Sequence, residues 1–244
     1  MKKLLLLFLF TNISLINFGW GFTRNHNHTT PDIGTYRTEI SNTKTYYVGN
    51  TNQNDVYLTF DVGYDNGNLS KILDILESRQ VRATFFLTGD FVNRYEELVV
   101  RLSLSNHLIC NHSYAHKSIT KLTKEELKQD ISKLESKYNE ITGKRLSPYF
   151  RPPAGDFNKD SLKNVNDLGY VNVFWSMAWV DWYTDNQKGA KYSFDSYVKN
   201  LHPGAIVLLH SVSESNKDAL NDIIDYTINN GYSFKTIDEI KNEF

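Results

Sequence analysis

Short apolar runs alternate along this chain with longer segments of helical periodicity, and that rhythm constrains its fold more than any other feature. Val56-Tyr57-Leu58-Thr59-Phe60 is rich in β-branched and aromatic residues and ends at Asp61. Residues 83–87, 107–110, 149–151, 171–175, 205–209 and 233–236 read as further strands. Between them, Leu69, Ile72, Leu73 and Leu76 recur at helical spacing after the turn Asn66-Gly67-Asn68, and residues 91–102 predict the next helix. Thr123 and Glu126 form a capping box for a helix that buries Leu127, Ile131, Leu134, Tyr138 and Ile141 and stops at Gly143. Helices over 159–168, closed by Gly169, and over about 216–230 follow, with a short one at the C-terminus. Repeated β–α units imply a parallel sheet with helical crossovers. A chain of 244 residues suits one (β/α) barrel, so the expected class is α/β with a single catalytic domain.

The two ends of the sequence differ in character. Lys2-Lys3 precede the apolar run Leu4-Leu5-Leu6-Leu7-Phe8-Leu9-Phe10, the pattern of a secretory signal. No clean small-residue cleavage site follows, so residues 1–21 are expected to be a signal peptide or an uncleaved membrane anchor. Either form places the rest of the chain outside the cytoplasm, secreted or in the cell envelope, with the membrane reached only through this segment. Residues 22–54 are polar and turn-rich, and predict an irregular arm before a domain over 55–244. His26 and His28 in that arm read as residues of a polar segment rather than as metal ligands. A net charge of −1 gives no reason to expect nucleic acid as a partner, and the single cysteine, Cys110, excludes an internal disulfide. Cys110 reads as an inert buried thiol.

Chemistry-bearing residues collect where strands end. His112 and His116 follow the apolar run 107–110, and a spacing of four places both rings on one side of a helical turn, within reach of one cation. Asp61, Arg151, Asp181 and His210 stand at or just after other strand ends. Each alone has an ordinary explanation, as a cap, an ion-pair partner or a buried histidine. Together, at the strand ends of one parallel barrel, they predict a catalytic mouth.

Five segments in order, Thr59-Phe60-Asp61-x-Gly63, His112-Ser113-x-x-His116, Arg151-Pro152-Pro153, Asp181-Trp182 and Leu208-x-His210, resemble the motifs of the polysaccharide deacetylases, the family four carbohydrate esterases. The resemblance covers about residues 55–240. It implies a distorted (β/α) barrel, and removal of N-acetyl groups from sugars such as chitin oligomers and peptidoglycan with a divalent metal, often zinc. It further implies that His112 and His116 hold the metal and that Asp61 is the general base, tethered by Arg151. His210 becomes the general acid, oriented by Asp181.

Three positions depart from the family pattern. Val62 stands where the third metal ligand is usual, leaving two imidazoles supplemented by water, Asp61, Asp65 or Asn66 and implying weak metal binding. Ala154 stands where Tyr is common; its N–H remains available to an oxyanion, and its small side chain leaves room for a bulkier sugar substituent. Ala178 replaces an aspartate three residues before Asp181. The sequences around Asp61, Trp175 to Trp182 and His210, with Asn27-His28-Thr29-Thr30-Pro31, are most similar to the muramic δ-lactam-forming deacetylases of spore formers. Those act on N-acetylmuramic acid in peptidoglycan strands freed of peptide, which makes glycan strands the expected partner. N-acetylglucosamine deacetylation and a catalytically lapsed glycan-binding protein are the alternatives. Trp175, Trp179, Trp182 and Tyr183 are divided between core packing and sugar stacking, with Trp182 beside Asp181 the first candidate for substrate contact.

Overall fold

The computed structural model describes residues 28–240. The expected signal or anchor segment and His26 lie outside the described residues. The strands are β1 (Thr45–Tyr46), β2 (Asp55–Val62), β3 (Thr84–Leu87), β4 (Leu108–Asn111), β5 (Ser147–Phe150), β6 (Val171–Val173), β7 (Ala205–His210) and β8 (Ser233–Phe234). The helices are α1 (Tyr36–Ile40), α2 (Asn68–Ser78), α3 (Gly89–Arg94), α4 (Glu96–Leu104), α5 (Lys124–Thr142), α6 (Lys159–Asp167), α7 (Ala190–Asn200) and α8 (Glu214–Asn229). The strands lie in the order β1-β6-β5-β4-β3-β2-β7, with β8 added beside the start of β2. Every pairing along this path is parallel, as βαβ connections require.

Strand β2 shows why the core forms as it does. Side chains alternate between the two faces of a strand. Val56, Leu58, Phe60 and Val62 therefore point one way, into an outer layer with Leu69, Ile72, Leu73 and Leu76 of α2. Tyr57 points the other way, into an inner layer with Phe86, Cys110, Ile206 and Leu208. Thr59 and Asp61 continue that inner column toward the strand's C-terminal end.

The barrel closes without a full eighth strand between β6 and β7. After β6 the chain crosses to β7, where Met177 makes an isolated parallel bridge to Val207. Ser176 N–H donates to the Ile206 carbonyl and Leu208 N–H to the Met177 carbonyl, both at 2.9 Å. The N-terminal arm completes the seam: Val48 bridges Ala205, and Gly49 N–H donates to the Gly204 carbonyl at 2.7 Å. This patchwork closure is the distortion that the family resemblance implies. The arm is accordingly less irregular than its composition suggests, because β1 extends the sheet beyond β6.

Other differences are local. The expected helix over 91–102 is two helices, α3 and α4, broken at Tyr95 (φ −128°, ψ 53°), whose hydroxyl donates to the Asp65 carbonyl. Helix α7 is an addition to the expected elements: Ala190, Phe194, Tyr197 and Val198 recur at helical spacing, and the helix buries Ser193 and Tyr197. The terminal helix reduces to one 3-10 turn, Ile237–Glu239.

Gly49 tests the seam. A Cβ there would lie 2.4 Å from the Tyr57 ring. Gly49→Ala is expected to lower stability by about 1–3 kcal/mol through overpacking, read as a reduced urea midpoint. A midpoint equal to the parent's would mean that the seam yields freely.

Candidate active site

Register places two of the expected residues side by side. Asp61 pairs with His210 across the parallel β2–β7 ladder, at the C-terminal ends of both strands. Arg151 follows β5 directly and is fully buried. Its Nη1 donates to Asp61 Oδ1 at 2.7 Å, its Nη2 to Thr59 Oγ1 at 2.8 Å and the Phe174 carbonyl at 3.3 Å, and its Nε to the Val173 carbonyl at 3.2 Å. The guanidinium lies over the Phe86 ring at 4.2 Å, with Trp175 at 5.7 Å. Burial pushes the Asp61 carboxyl upward, but the neighbouring His112, Arg151 and His210, with Arg151's hydrogen bond, outweigh it and hold the carboxyl below its usual value.

The loop after β4 carries His112 and His116, and it is not a helical turn. Ser113 and His116 adopt left-handed backbone angles, φ 72° and 51°. Asp130 on α5 accepts N–H bonds from Tyr114 at 2.8 Å and Ala115 at 2.9 Å, while Ser113 Oγ accepts from His116 N–H at 3.0 Å. Gly89 admits the loop, since a Cβ there would lie 2.4 Å from the Tyr114 carbonyl oxygen. The two imidazoles end 4.9 Å apart, edge to face. The spacing thus brings the rings together by a different route from the one it suggests.

Asp181 is buried and holds His210 at two points. Its Oδ2 accepts the His210 backbone N–H at 2.8 Å, and its Oδ1 meets His210 Nδ1 at 2.7 Å. Burial lowers the His210 pKa, yet the Asp181 charge and hydrogen bond, with Asp61 behind them, raise it overall. The side chain stays 25% exposed, so its Nε2 edge is left for the mouth.

Trp182 stands edge-on to His210 at 5.7 Å and is 37% exposed, and Tyr183 beside it is 51% exposed. Trp175 and Trp179 are core residues. Ala154 is exposed in the turn Pro153–Gly155 at φ 55°, a left-handed conformation that alanine seldom adopts. Val62 is sealed in the outer layer, facing away from Asp61. Asp65 Oδ1 accepts the Leu69 N–H, and Asn66 Nδ2 donates to the Val212 carbonyl, so both offered extra ligands hold the backbone instead. Cys110 is buried, its thiol raised well above the usual range by desolvation. His28 Nδ1 donates to the Leu201 carbonyl. Thr59 and Asp130 were not legible as site residues, one being a strand position and the other a polar helix position.

The donor set can be tested against a metal. His112 Nδ1 donates to the Arg151 carbonyl at 2.8 Å, since a carbonyl can only accept. Burial lowers the His112 pKa to about 4, so at neutral pH its Nε2 carries a lone pair. That atom faces Asp61 Oδ2 at 3.3 Å, two acceptors with no proton between them. Desolvation also lowers the His116 pKa, although one flank of the residue stays open. Neutral imidazoles facing a carboxylate oxygen fit a divalent cation. Among the described residues no complete set of three His, Cys, Asp or Glu ligands is arranged for one, in keeping with Val62. Two imidazoles would hold the ion, with Asp61, water or substrate completing its shell.

A carboxylate and a histidine of raised pKa, each locked to an opposite charge and adjacent at a barrel mouth, form the arrangement of an acid–base hydrolase. The polysaccharide deacetylase family profile matches residues 48–173. The chain is 44% identical over 222 residues to the peptidoglycan-N-acetylmuramic acid deacetylase PdaA of Bacillus subtilis, spanning 91% of this chain and 84% of that one. The structure of Bacillus subtilis PdaA, described as a family 4 carbohydrate esterase, superposes with a TM-score of 0.88 over 91% of this chain and 95% of that one. A peptidoglycan-N-acetylglucosamine deacetylase of Bacillus cereus is 34% identical, over 78% of this chain and 70% of its own. A Bacillus anthracis protein described as a family pseudoenzyme, 29% identical, superposes with a TM-score of 0.75 over 82% of this chain and 69% of that one. This chain belongs to the polysaccharide deacetylase family.

Arg151→Met strands a buried carboxylate and is expected to cost about 3–5 kcal/mol at neutral pH, measured by urea unfolding. Asp61's depressed pKa adds stability that is complete above the ordinary aspartate value of 3.8 and is lost as pH falls through the lower folded value. The deficit of the variant should therefore narrow below that pH, and a deficit independent of pH would break the link to Asp61.

Proposed function

We propose that the chain is a metal-dependent N-deacetylase of peptidoglycan, acting on N-acetylmuramic acid. The freed amine then closes on the lactyl carboxyl to give muramic δ-lactam, as in spore cortex. The observation that carries the reading is the adjacency of the pairs Asp61–Arg151 and Asp181–His210 at the mouth of a chain 44% identical to a muramic acid deacetylase. The expected signal or anchor at residues 1–21 would deliver it to the cell envelope.

In this reading Asp61 Oδ2 takes a proton from the attacking water, while Oδ1 stays bound to Arg151. The water oxygen bonds to the acetamide carbon, the Ala154 N–H stands ready for the oxyanion, and the carbon–nitrogen bond breaks as His210 Nε2 protonates the leaving amine. Acetate and the amino sugar result. Asp181 keeps the imidazole turned toward the amine and favours its charged form. A divalent cation on His112 and His116, zinc foremost, would supply Lewis-acid polarisation of the carbonyl. Trp182 offers an apolar face to a sugar ring.

The 34% identity to a peptidoglycan-N-acetylglucosamine deacetylase supports glucosamine as the second reading. The family pseudoenzyme supports a third, a glycan binder whose chemistry has lapsed. Against it, Asp61, His112, His116, Arg151, Asp181 and His210 are all retained.

Metal-stripped protein incubated with peptide-free glycan strands, with and without zinc, is expected to remove acetyl from muramic residues only when metal is present, with loss of water following by mass spectrometry. Acetyl loss from glucosamine would select the second reading, and binding without acetyl loss the third. Ala154→Tyr is expected to cut turnover of the muramic substrate about tenfold while sparing the glucosamine one. Asp181→Asn removes what raises the His210 pKa, so the alkaline limb of the kcat profile should move to lower pH.

A further inference from the structure

Behind Asp181 lies a polar chain that the proposed reaction has not used. Asn216, in the first turn of α8, is 2% exposed. Its Nδ2 donates to Asp181 Oδ2 at 2.5 Å. Its Oδ1 accepts from Trp179 Nε1 at 3.0 Å and from Ser193 Oγ at 2.8 Å. An indole N–H can only donate, so the oxygen of the amide must face Trp179 and the NH₂ must face Asp181. The backbone of Asn216 is fixed as well, its N–H donating to Ser213 Oγ at 3.2 Å, where Ser213 caps α8.

From this geometry we infer that Asn216 is a positioning residue for the acid, acting through Asp181, with Trp179 fixing the direction of its amide. Asp181 Oδ2 takes two donors, Asn216 Nδ2 and the His210 backbone N–H, and this leaves Oδ1 aimed at His210 Nδ1. Without Asn216 the carboxylate loses one of the donors that set its plane. It can then rotate about its last bond, and the His210 ring turns with it. Outer partners of metal ligands are worth about 10–100-fold in activity, and a partner that orients a catalytic acid in the same way is expected to matter on the same scale. The inference rests on His210 being the acid of the proposed deacetylation.

Two variants test it. Asn216→Leu keeps roughly the volume but removes the amide donor and acceptor without adding a charge beside Asp181, and Asn216→Ala removes the side chain beyond Cβ. Each is expected to lower kcat on peptide-free glycan strands about 10–100-fold with KM within about twofold. In an Asp181→Ala background, Asn216→Ala is expected to cost less than about twofold more, because its effect passes through the missing carboxylate. The His210 Nδ1 proton resonance, assigned by its loss in His210→Gln, is expected to move upfield in both Asn216 variants while the remaining amide spectrum stays folded. Losses that multiply in the double variant, or an unmoved Nδ1 resonance, would overturn the inference and leave Asn216 as packing alone. A parent protein inactive with every metal, whose Nδ1 resonance still shifts on Asn216 substitution, would sink the deacetylase reading and keep the geometry of the relay.

Discussion

A guanidinium sealed from solvent organises the inner half of this barrel. Arg151 has no water to fall back on, so its donors must be met from inside the fold. They are met by the Thr59 hydroxyl and Asp61 of β2 and by the Val173 and Phe174 carbonyls at the end of β6. One side chain thus ties together β5, β2 and the end of β6. The Arg151 carbonyl in turn takes the Nδ1 proton of His112, which leaves that ring's other nitrogen facing Asp61. A lysine could supply the charge but not this fork of contacts, nor lie flat on Phe86.

The departure at Val62 has a structural sense of its own. The strand alternates, and position 62 falls on the outer face with Val56, Leu58 and Phe60. In this backbone the residue after Asp61 belongs to the layer between sheet and helices, where valine packs well and a carboxylate would be stranded. The site is thereby narrowed to two imidazoles and Asp61. In the proposed reaction, the affinity of a bound cation would depend more heavily on how well the surrounding loops hold those rings.

How much of this was legible in the sequence depended on the range of the signal. Strands and most helices are local periodicities, and β2, β7, α5 with its Thr123 cap, and the residues at the strand ends could be read directly. The family motifs added the grouping, which composition cannot supply. Helix α7 could not be read from a cap, since Gly189 before it has no side chain to signal the start, although Ala190, Phe194 and Tyr197 recur at helical spacing. Nor could the loop geometry around His112, since the left-handed angles at Ser113 and His116 flank N–H bonds from Tyr114 and Ala115 to Asp130 on α5, a partner in another element. Asp130 and Asn216 carry no motif, and Thr59, though it opens the first one, is a strand hydroxyl with no chemistry of its own to announce. Their roles exist only through partners far away in the chain.

The seam between β6 and β7 bears on the chemistry as well as on the fold. On that side β7 is knitted by Ser176 and Met177 and by the arm residues Val48 and Gly49. At the mouth, the seam is crossed again by Asp181 gripping both the backbone and the ring of His210. One contact across the seam is therefore also, in the proposed reaction, the counter-ion of the acid. In the proposed cycle, every proton that His210 gives away discharges that contact, and reprotonation tightens it.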